Sequence, residues 1–270
     1  MALHRTFCSL TSTSLAAAAM QWLPALLLIA MSTASHASAP WTTGTAYSVA
    51  DGQVAYRELH YPAPGQAGLS SRVEYQDAQG RVIVRKQLDF SRSLTAPAID
   101  QVDLRTSTRI YTRYEGARLQ AGYQRDAGSA MRTDTLRPRP ELIVDAGFDP
   151  FVRAHWDSLL AGRPASAEFF LPALLRTITV SIAPVARAEC EQVVGDVLCL
   201  MVRPAGLLRV ASWFVEPLRL AYDLDERRLL MFRGPSNLLD AQGQAQDVLV
   251  LFEYHAAQVS ASALIPPAGE

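Results

Sequence analysis

The feature that most constrains this chain is the every-other-residue alternation of apolar and polar side chains. Val82, Val84, Leu88 and Phe90 fall on one side of an extended segment, and Arg85, Gln87 and Asp89 on the other. A period of two is the repeat of a strand with one buried face. Leu119, Ala121 and Tyr123 alternate with Arg118, Gln120 and Gln124, and Ile178, Val180 and Ile182 with Thr177, Thr179 and Ser181. Leu218, Leu220 and Tyr222 alternate with Arg219 and Asp223. In the run Val248, Val250, Phe252, Tyr254 the intervening Leu249 and Leu251 are apolar too, so that strand is expected to be covered on both faces. Turn signals separate these runs: Asp51-Gly52, Glu115-Gly116, Gly195-Asp196, Asp225-Glu226, and Asp-Ala-Gln-Gly at 77–80 and again at 240–243. In the tetrapeptide, Asp bonds the backbone ahead of it and Gly takes the positive φ that follows. Short links between alternating strands are hairpins, which predicts an antiparallel meander and not a βαβ fold.

One helix interrupts the pattern. Asp149 is placed to cap it, Pro150 suits the first helical position, and Gly162 stops it ahead of Pro164. Phe148, Phe151, Val152, His155 and Leu159 form one stripe, with Arg153 and Asp157 opposite. The expected class is therefore α+β and β-rich, a curved, half-barrel-like antiparallel meander with one main amphipathic helix over 150–161. Arg137-Pro138-Arg139-Pro140 is the softest joint, because two prolines remove backbone donors. It could part an N-terminal sheet from the helix and a C-terminal sheet; one β-rich domain over 38–255, followed by a loose tail over 256–270, is the favoured reading.

The N-terminus carries Arg5, no acid before Asp51, an apolar run from Leu15 to Met31, and then small residues through Ala39. That order predicts a signal peptide over 1–37, cut between Ala37 and Ser38, and delivery to the periplasm. The rival is an uncleaved anchor, for which a seventeen-residue run broken by Gln21 and Pro24 is short. Charge argues little beyond this: 25 basic against 26 acidic groups leave no basic excess of the kind a nucleic-acid binder shows.

Beyond the leader only Cys190 and Cys199 remain, an even number in an oxidising compartment. A hairpin turning about Val194-Gly195 would set them opposite one another, and a structural disulfide is expected.

Chemical motifs are sparse. There is no Gly-x-Ser-x-Gly elbow, Walker loop, Gly-x-Gly-x-x-Gly or His-Glu-x-x-His, and neither a cofactor nor a metal site is indicated. His60, His155 and His255 stand far apart in sequence. His155, beside Trp156, lies in the apolar stripe and reads either as a ligand contact in a cavity or as a core histidine bonded to a carbonyl. Lys86, the only lysine, interrupts an apolar strand face; it could hold an acidic headgroup, pair with a carboxylate, or snorkel to the rim. Phe169-Phe170-Leu171-Pro172 and Trp213-Phe214-Val215 are apolar clusters in expected loops, candidates for a cleft mouth or for ordinary core.

Tyr56-Arg57-Glu58-Leu59-His60, RVEYQDAQGRVIVRKQLDF at 72–90, VDAGFDPFVRAHWDSLLAG at 144–162 and RLAYDLDERRLLMFRGPSNLLDAQG at 219–243 resemble an uncharacterised family of proteobacterial exported proteins. At fold level the plan is similar to the half-barrel of periplasmic lipoprotein carriers. The resemblance implies no catalytic residues. The expected function is non-enzymatic: a lipid, an acyl chain or a lipidated partner held in an apolar cleft between sheet and helix, with His155, Trp156, Lys86, Phe170, Trp213 and Phe214 as candidate contacts. The alternatives are an exported hydrolase joining Asp145, Asp149 or Glu168 to His155, and an envelope protein–protein interaction module.

Overall fold

The computed structural model describes residues 39–205, 217–240 and 243–255. The leader at 1–37, the tail at 256–270, and Trp213 and Phe214 lie outside the described residues. Eight strands come first: β1 (Thr42–Ser48), β2 (Val54–Ala63), β3 (Gln66–Gln76), β4 (Val82–Asp89), β5 (Ala98–Asp103), β6 (Arg109–Glu115), β7 (Arg118–Gln124) and β8 (Arg132–Leu136). The short β9 (Leu142–Ile143) leads into helices α1 (Phe148–Ala154) and α2 (Trp156–Leu160). Then follow β10 (Ala165–Leu171), β11 (Arg176–Pro184), β12 (Val197–Pro204), β13 (Leu218–Asp223), β14 (Leu229–Pro235) and β15 (Asp247–Tyr254).

The strands among the described residues form one sheet in the order β8-β7-β6-β5-β4-β3-β2-β1-β15-β14-β13-β12-β11-β10-β9. Neighbours are antiparallel hairpin partners except at two places. The first and last strands pair with each other, Thr42 opposite Tyr254 through Ser48 opposite Val248, which puts both ends of the described chain in the middle of the sheet. The pair β9–β10 is parallel, Leu142 opposite Glu168 and Ile143 opposite Phe169, and its crossover is the helical segment. The open edges, β8 and β9, are joined by the Arg137–Pro140 stretch, so the two prolines sit where no sheet hydrogen bond has to be made.

Alternation becomes burial as the period of two requires. In β4, Ile83, Val84, Lys86 and Leu88 are buried while Arg85, Gln87 and Asp89 are exposed. The Asp77–Gly80 turn closes as expected, with Gly80 N–H donating to the Asp77 carbonyl at 2.9 Å and Gly80 at φ +81°. The inner face carries two cores. One joins Ala46, Tyr56, Val73, Val84, Ile99, Leu119 and Val250 to Val144 and Phe170. The other packs Phe151, Val152, Trp156 and Leu159 against Val180, Ile182, Leu200 and Tyr222. Each fully buried Val, Leu, Ile or Phe among them contributes about 1.5–3 kcal/mol. On the outer face of the C-terminal strands, Cys190, Cys199, Ala221 and Met231 form a third cluster against which Leu249 and Leu251 pack, so β15 is covered on both faces.

Four expectations need correction. The helix starts at Phe148 with Gly147 as its cap, and Asp149 lies in its first turn. It is broken at His155 (φ −104°, ψ 12°), whose Nδ1 lies 2.9 Å from the Phe151 carbonyl. A side chain competing for the i−4 carbonyl bends a helix. Phe170 lies in strand β10 with its ring in the first core, not in a loop. Cys190 and Cys199 are free thiols, not a disulfide. The symmetric hairpin does not form: Cys190 ends a 3₁₀ turn over Arg187–Cys190, while Cys199 sits in β12 opposite Ala221. Burial, and then the adjoining Cys199 sulfur, push the Cys190 thiol up to about 12.

Candidate functional site

Three polar constellations face the inside of the sheet. The first lies where β1, β2 and β3 meet. Glu58 and His60, two apart on β2, share its inner face, opposite Gly44 and Thr42 of β1. The β2–β3 register shifts twice around Pro62, which cannot donate to the ladder. There Ser70 is directed inward beside His60. Trp41, just before β1, is fixed by its backbone, N–H to the His60 carbonyl and carbonyl to the His255 N–H, both at 2.9 Å.

The side chains then form a line. Trp41 Nε1 donates to Ser70 Oγ at 3.0 Å, Ser70 Oγ lies 3.4 Å from His60 Nδ1, and His60 Nε2 lies 3.0 Å from Glu58 Oε2. The direction follows from chemistry. An ionised carboxylate only accepts and an indole N–H only donates. In the neutral tautomer that keeps its hydrogen on Nε2 toward Glu58, His60 turns the Nδ1 lone pair to the Ser70 hydroxyl. Phe252 packs edge-on against the imidazole, centroids 6.0 Å apart, in space left by Gly44, where a Cβ would come within 2.8 Å of the ring.

Beside this line lies an open cleft of about 470 Å³, lined by Trp41, Pro62, Ala63, Gly65, Gly68 and Leu69 together with Gln66. Its rim is tied to the helix: Arg153 on α1 donates to the Gly68 carbonyl at 3.2 Å and to Asp149 at 2.8 Å. The Tyr222 hydroxyl donates to the other Asp149 oxygen at 2.7 Å. This is the second constellation. Burial, reinforced by Asp149, holds Tyr222 well above the usual tyrosine range.

The third is Lys86, whose ammonium donates to both oxygens of Asp145 at 2.8 Å and sits over the Tyr75 ring, 5.4 Å from its centroid. Burial alone would pull this amine down, but the Asp145 charge more than offsets it and holds Lys86 above the usual lysine range. Asp145 adopts a left-handed backbone (φ +46°), and a Cβ on the nearby Gly147 would come within 1.8 Å of the Thr95 carbonyl oxygen. The turn between β9 and α1 is thus pressed against the N-terminal strands.

Of the sequence candidates, Lys86 is paired with a carboxylate, Trp156 is in the second core, and Phe170 is in the first. His155 is half-buried, stacks on Phe151 at 4.1 Å and bonds that residue's carbonyl. The carboxylates named with it are paired elsewhere: Asp145 with Lys86, Asp149 with Arg153 and Tyr222, Glu168 with Arg139. The sheet–helix interface where a cleft was expected is occupied by Phe151, Val152, Trp156 and Leu159. A second open cavity, about 1020 Å³, lies among the turns at the opposite ends of the strands. Its wall includes arginines already engaged, Arg81 with Asp77 and Arg105 with Asp103. Among the described residues no group of three His, Cys, Asp or Glu is placed to hold a metal ion.

The line Trp41–Ser70–His60–Glu58 escaped the sequence reading. Glu-x-His on one strand face was its only local signal; Ser70 and Trp41 arrive through register and bulge. Comparison with family models, with curated proteins and with solved structures finds no match.

Proposed function

We propose that this is an exported, periplasmic protein that holds the acyl chain of a lipid or of a lipidated partner in the Trp41 cleft. The observation that carries the reading is the cleft itself, about 470 Å³, walled by Trp41, Pro62, Ala63 and Leu69. Ligand sites are concave, mostly apolar, and about 300–1,000 Å³ in volume, with few polar groups to fix orientation. Trp41 is suited to such a mouth, presenting a wide apolar ring while its N–H is already satisfied by Ser70. The Tyr222–Asp149–Arg153–Gly68 chain braces the rim from the helix side, which keeps the cleft preformed and lowers the ordering cost of binding.

The test is displacement of a fluorescent fatty acid from the purified full chain, with native mass spectrometry before and after solvent extraction. Leu69→Asp is expected to weaken binding at least about tenfold, since it places a charge on the apolar wall. A clean ligand-free mass together with no probe uptake would dispose of the reading.

A further inference from the structure

We propose that the cleft is also a reaction site, an acyl-ester hydrolase in which Ser70 is the nucleophile, His60 the general base and Glu58 the group that orients and charges the imidazole. This rests on the acyl-binding reading and replaces passive holding with turnover. Nucleophilic catalysis at serine needs a base within hydrogen-bond reach of the hydroxyl and a third group that fixes the base. All three are present on two adjacent strands, with Ser70 Oγ 3.4 Å from His60 Nδ1 and His60 Nε2 3.0 Å from Glu58. The first distance is slightly long, as such contacts commonly are without substrate.

Two details favour chemistry over a merely filled core. With the imidazole neutral and its hydrogen on Nε2 toward Glu58, Nδ1 presents a lone pair to the Ser70 hydroxyl, which accepts from the Trp41 indole. The indole occupies one lone pair of Oγ and leaves the other free for attack. The line adjoins the cleft through Trp41, which lines it and donates to Ser70 Oγ, while Ser70, His60 and Glu58 lie behind that ring. Ser70 is 8% exposed and so is screened from bulk water.

The reaction balances. Oγ bonds to the ester carbonyl carbon as its proton passes to His60 Nδ1. The alkoxy C–O bond then breaks, and the alkoxide takes that proton and leaves as the alcohol. Water next gives a proton to Nδ1 and its oxygen bonds to the acyl carbon. The Oγ–carbon bond breaks, and Oγ recovers the proton as the carboxylic acid departs. Glu58 keeps Nε2–H throughout and stabilises the imidazolium.

The experiment treats the full chain with an alkyl fluorophosphonate and with p-nitrophenyl acyl esters, and maps any adduct by peptide mass spectrometry. The expected result is one phosphonyl group on Ser70 and ester hydrolysis that falls at least about 100-fold in Ser70→Ala and in His60→Gln. Glu58→Gln should lower kcat with little effect on KM, whereas a purely structural role would lower stability and leave no adduct to lose. Probe uptake with neither adduct nor hydrolysis overturns the catalytic inference and leaves the binding reading standing. An adduct on Ser70 without fatty-acid uptake does the reverse. Mapping on the wild-type chain keeps the question open to refutation even where a variant does not fold.

Discussion

At the scale of single residues, the inner face is governed by polar groups that burial has made dependent on one another. Lys86 is almost wholly buried, and the carboxylate it pairs with, Asp145, belongs to the turn entering α1. Removing one member of such a pair strands the other charge, so Lys86→Met is expected to cost about 3–5 kcal/mol in urea unfolding. Lys86→Met combined with Asp145→Asn should recover much of that, because Asn tolerates the left-handed backbone and carries no charge to strand. A double variant no better than the single would show that the ion pair is not what joins this turn to β4. Gly147→Ala should be comparably damaging for a steric reason, since its Cβ would overlap the Thr95 carbonyl and only backbone movement relieves that. The buried tyrosines set the response to alkali. Tyr56 and Tyr222 are held well above 10.0 and Tyr75 is pushed up to about 12, each chiefly by burial. Lys86 is raised as well. Every one of these groups binds its proton more tightly folded than unfolded, so their contribution is complete below about pH 10 and is lost as pH rises beyond it. Stability measured against pH should be level through neutrality and then fall steeply in alkali, with tyrosinate absorbance appearing together with the loss of β circular dichroism. Tyrosinate appearing well before unfolding would contradict the burial of these rings.

Among the elements, those read correctly from sequence are the ones whose pattern is local. Strands β4, β7 and β11 each have one face in a core, and a period of two survives in their sequence, while the apolar Leu249 and Leu251 of β15 mark its cover on both faces. The segment Val197–Pro204 is buried from Leu198 to Val202, covered on both faces, so no alternation marks it and its cysteine was assigned to a hairpin that does not form. The helical stripe was legible, but the break was not, because it arises from an imidazole taking the carbonyl of its own preceding turn. The Trp41–Ser70–His60–Glu58 line was illegible for a different reason: it depends on which residues of three strands lie opposite one another after two register shifts. Two element-scale outcomes follow. His155→Ala should cost no more than about 1.5 kcal/mol, the range of one hydrogen bond to a half-buried group, and should leave acyl-chain uptake unchanged. Both thiols should resist alkylation in the native protein and react together on unfolding, since Cys190 is sealed beneath its 3₁₀ turn and Cys199 lies within β12. A mass shift of two hydrogens between reduced and unreduced protein would instead place a disulfide there.

For the whole molecule, the decisive feature is that the first strand pairs with the last. β1 has β2 on one side and β15 on the other, seven residue pairs joining Thr42–Ser48 to Val248–Tyr254. The two halves of the sheet, β1–β8 and β9–β15, thus meet along a seam between strands some 200 residues apart, counted from Thr42 opposite Tyr254. Closing a loop of that length costs entropy before any contact repays it, so seam formation belongs late in folding and the overall rate should be slow for a domain of this size. Truncation tests this directly. Ending the chain after Gln246 removes β15, leaves β1 and β14 as unpaired seven-residue edges, and exposes Ala46, Tyr56 and Phe232 on the inner face. Such edges template pairing with other chains. The truncated protein is expected to aggregate at concentrations where the full chain stays monodisperse in light scattering. In the full chain, hydrogen exchange should show the β1 and β15 amides opening together, as one cooperative unit. If β1 amides stayed protected while those of β15 exchanged freely, the seam would not be closing the sheet, and the cleft at the Trp41 end would have to be held by the β2–β3 hairpin and Arg153 alone.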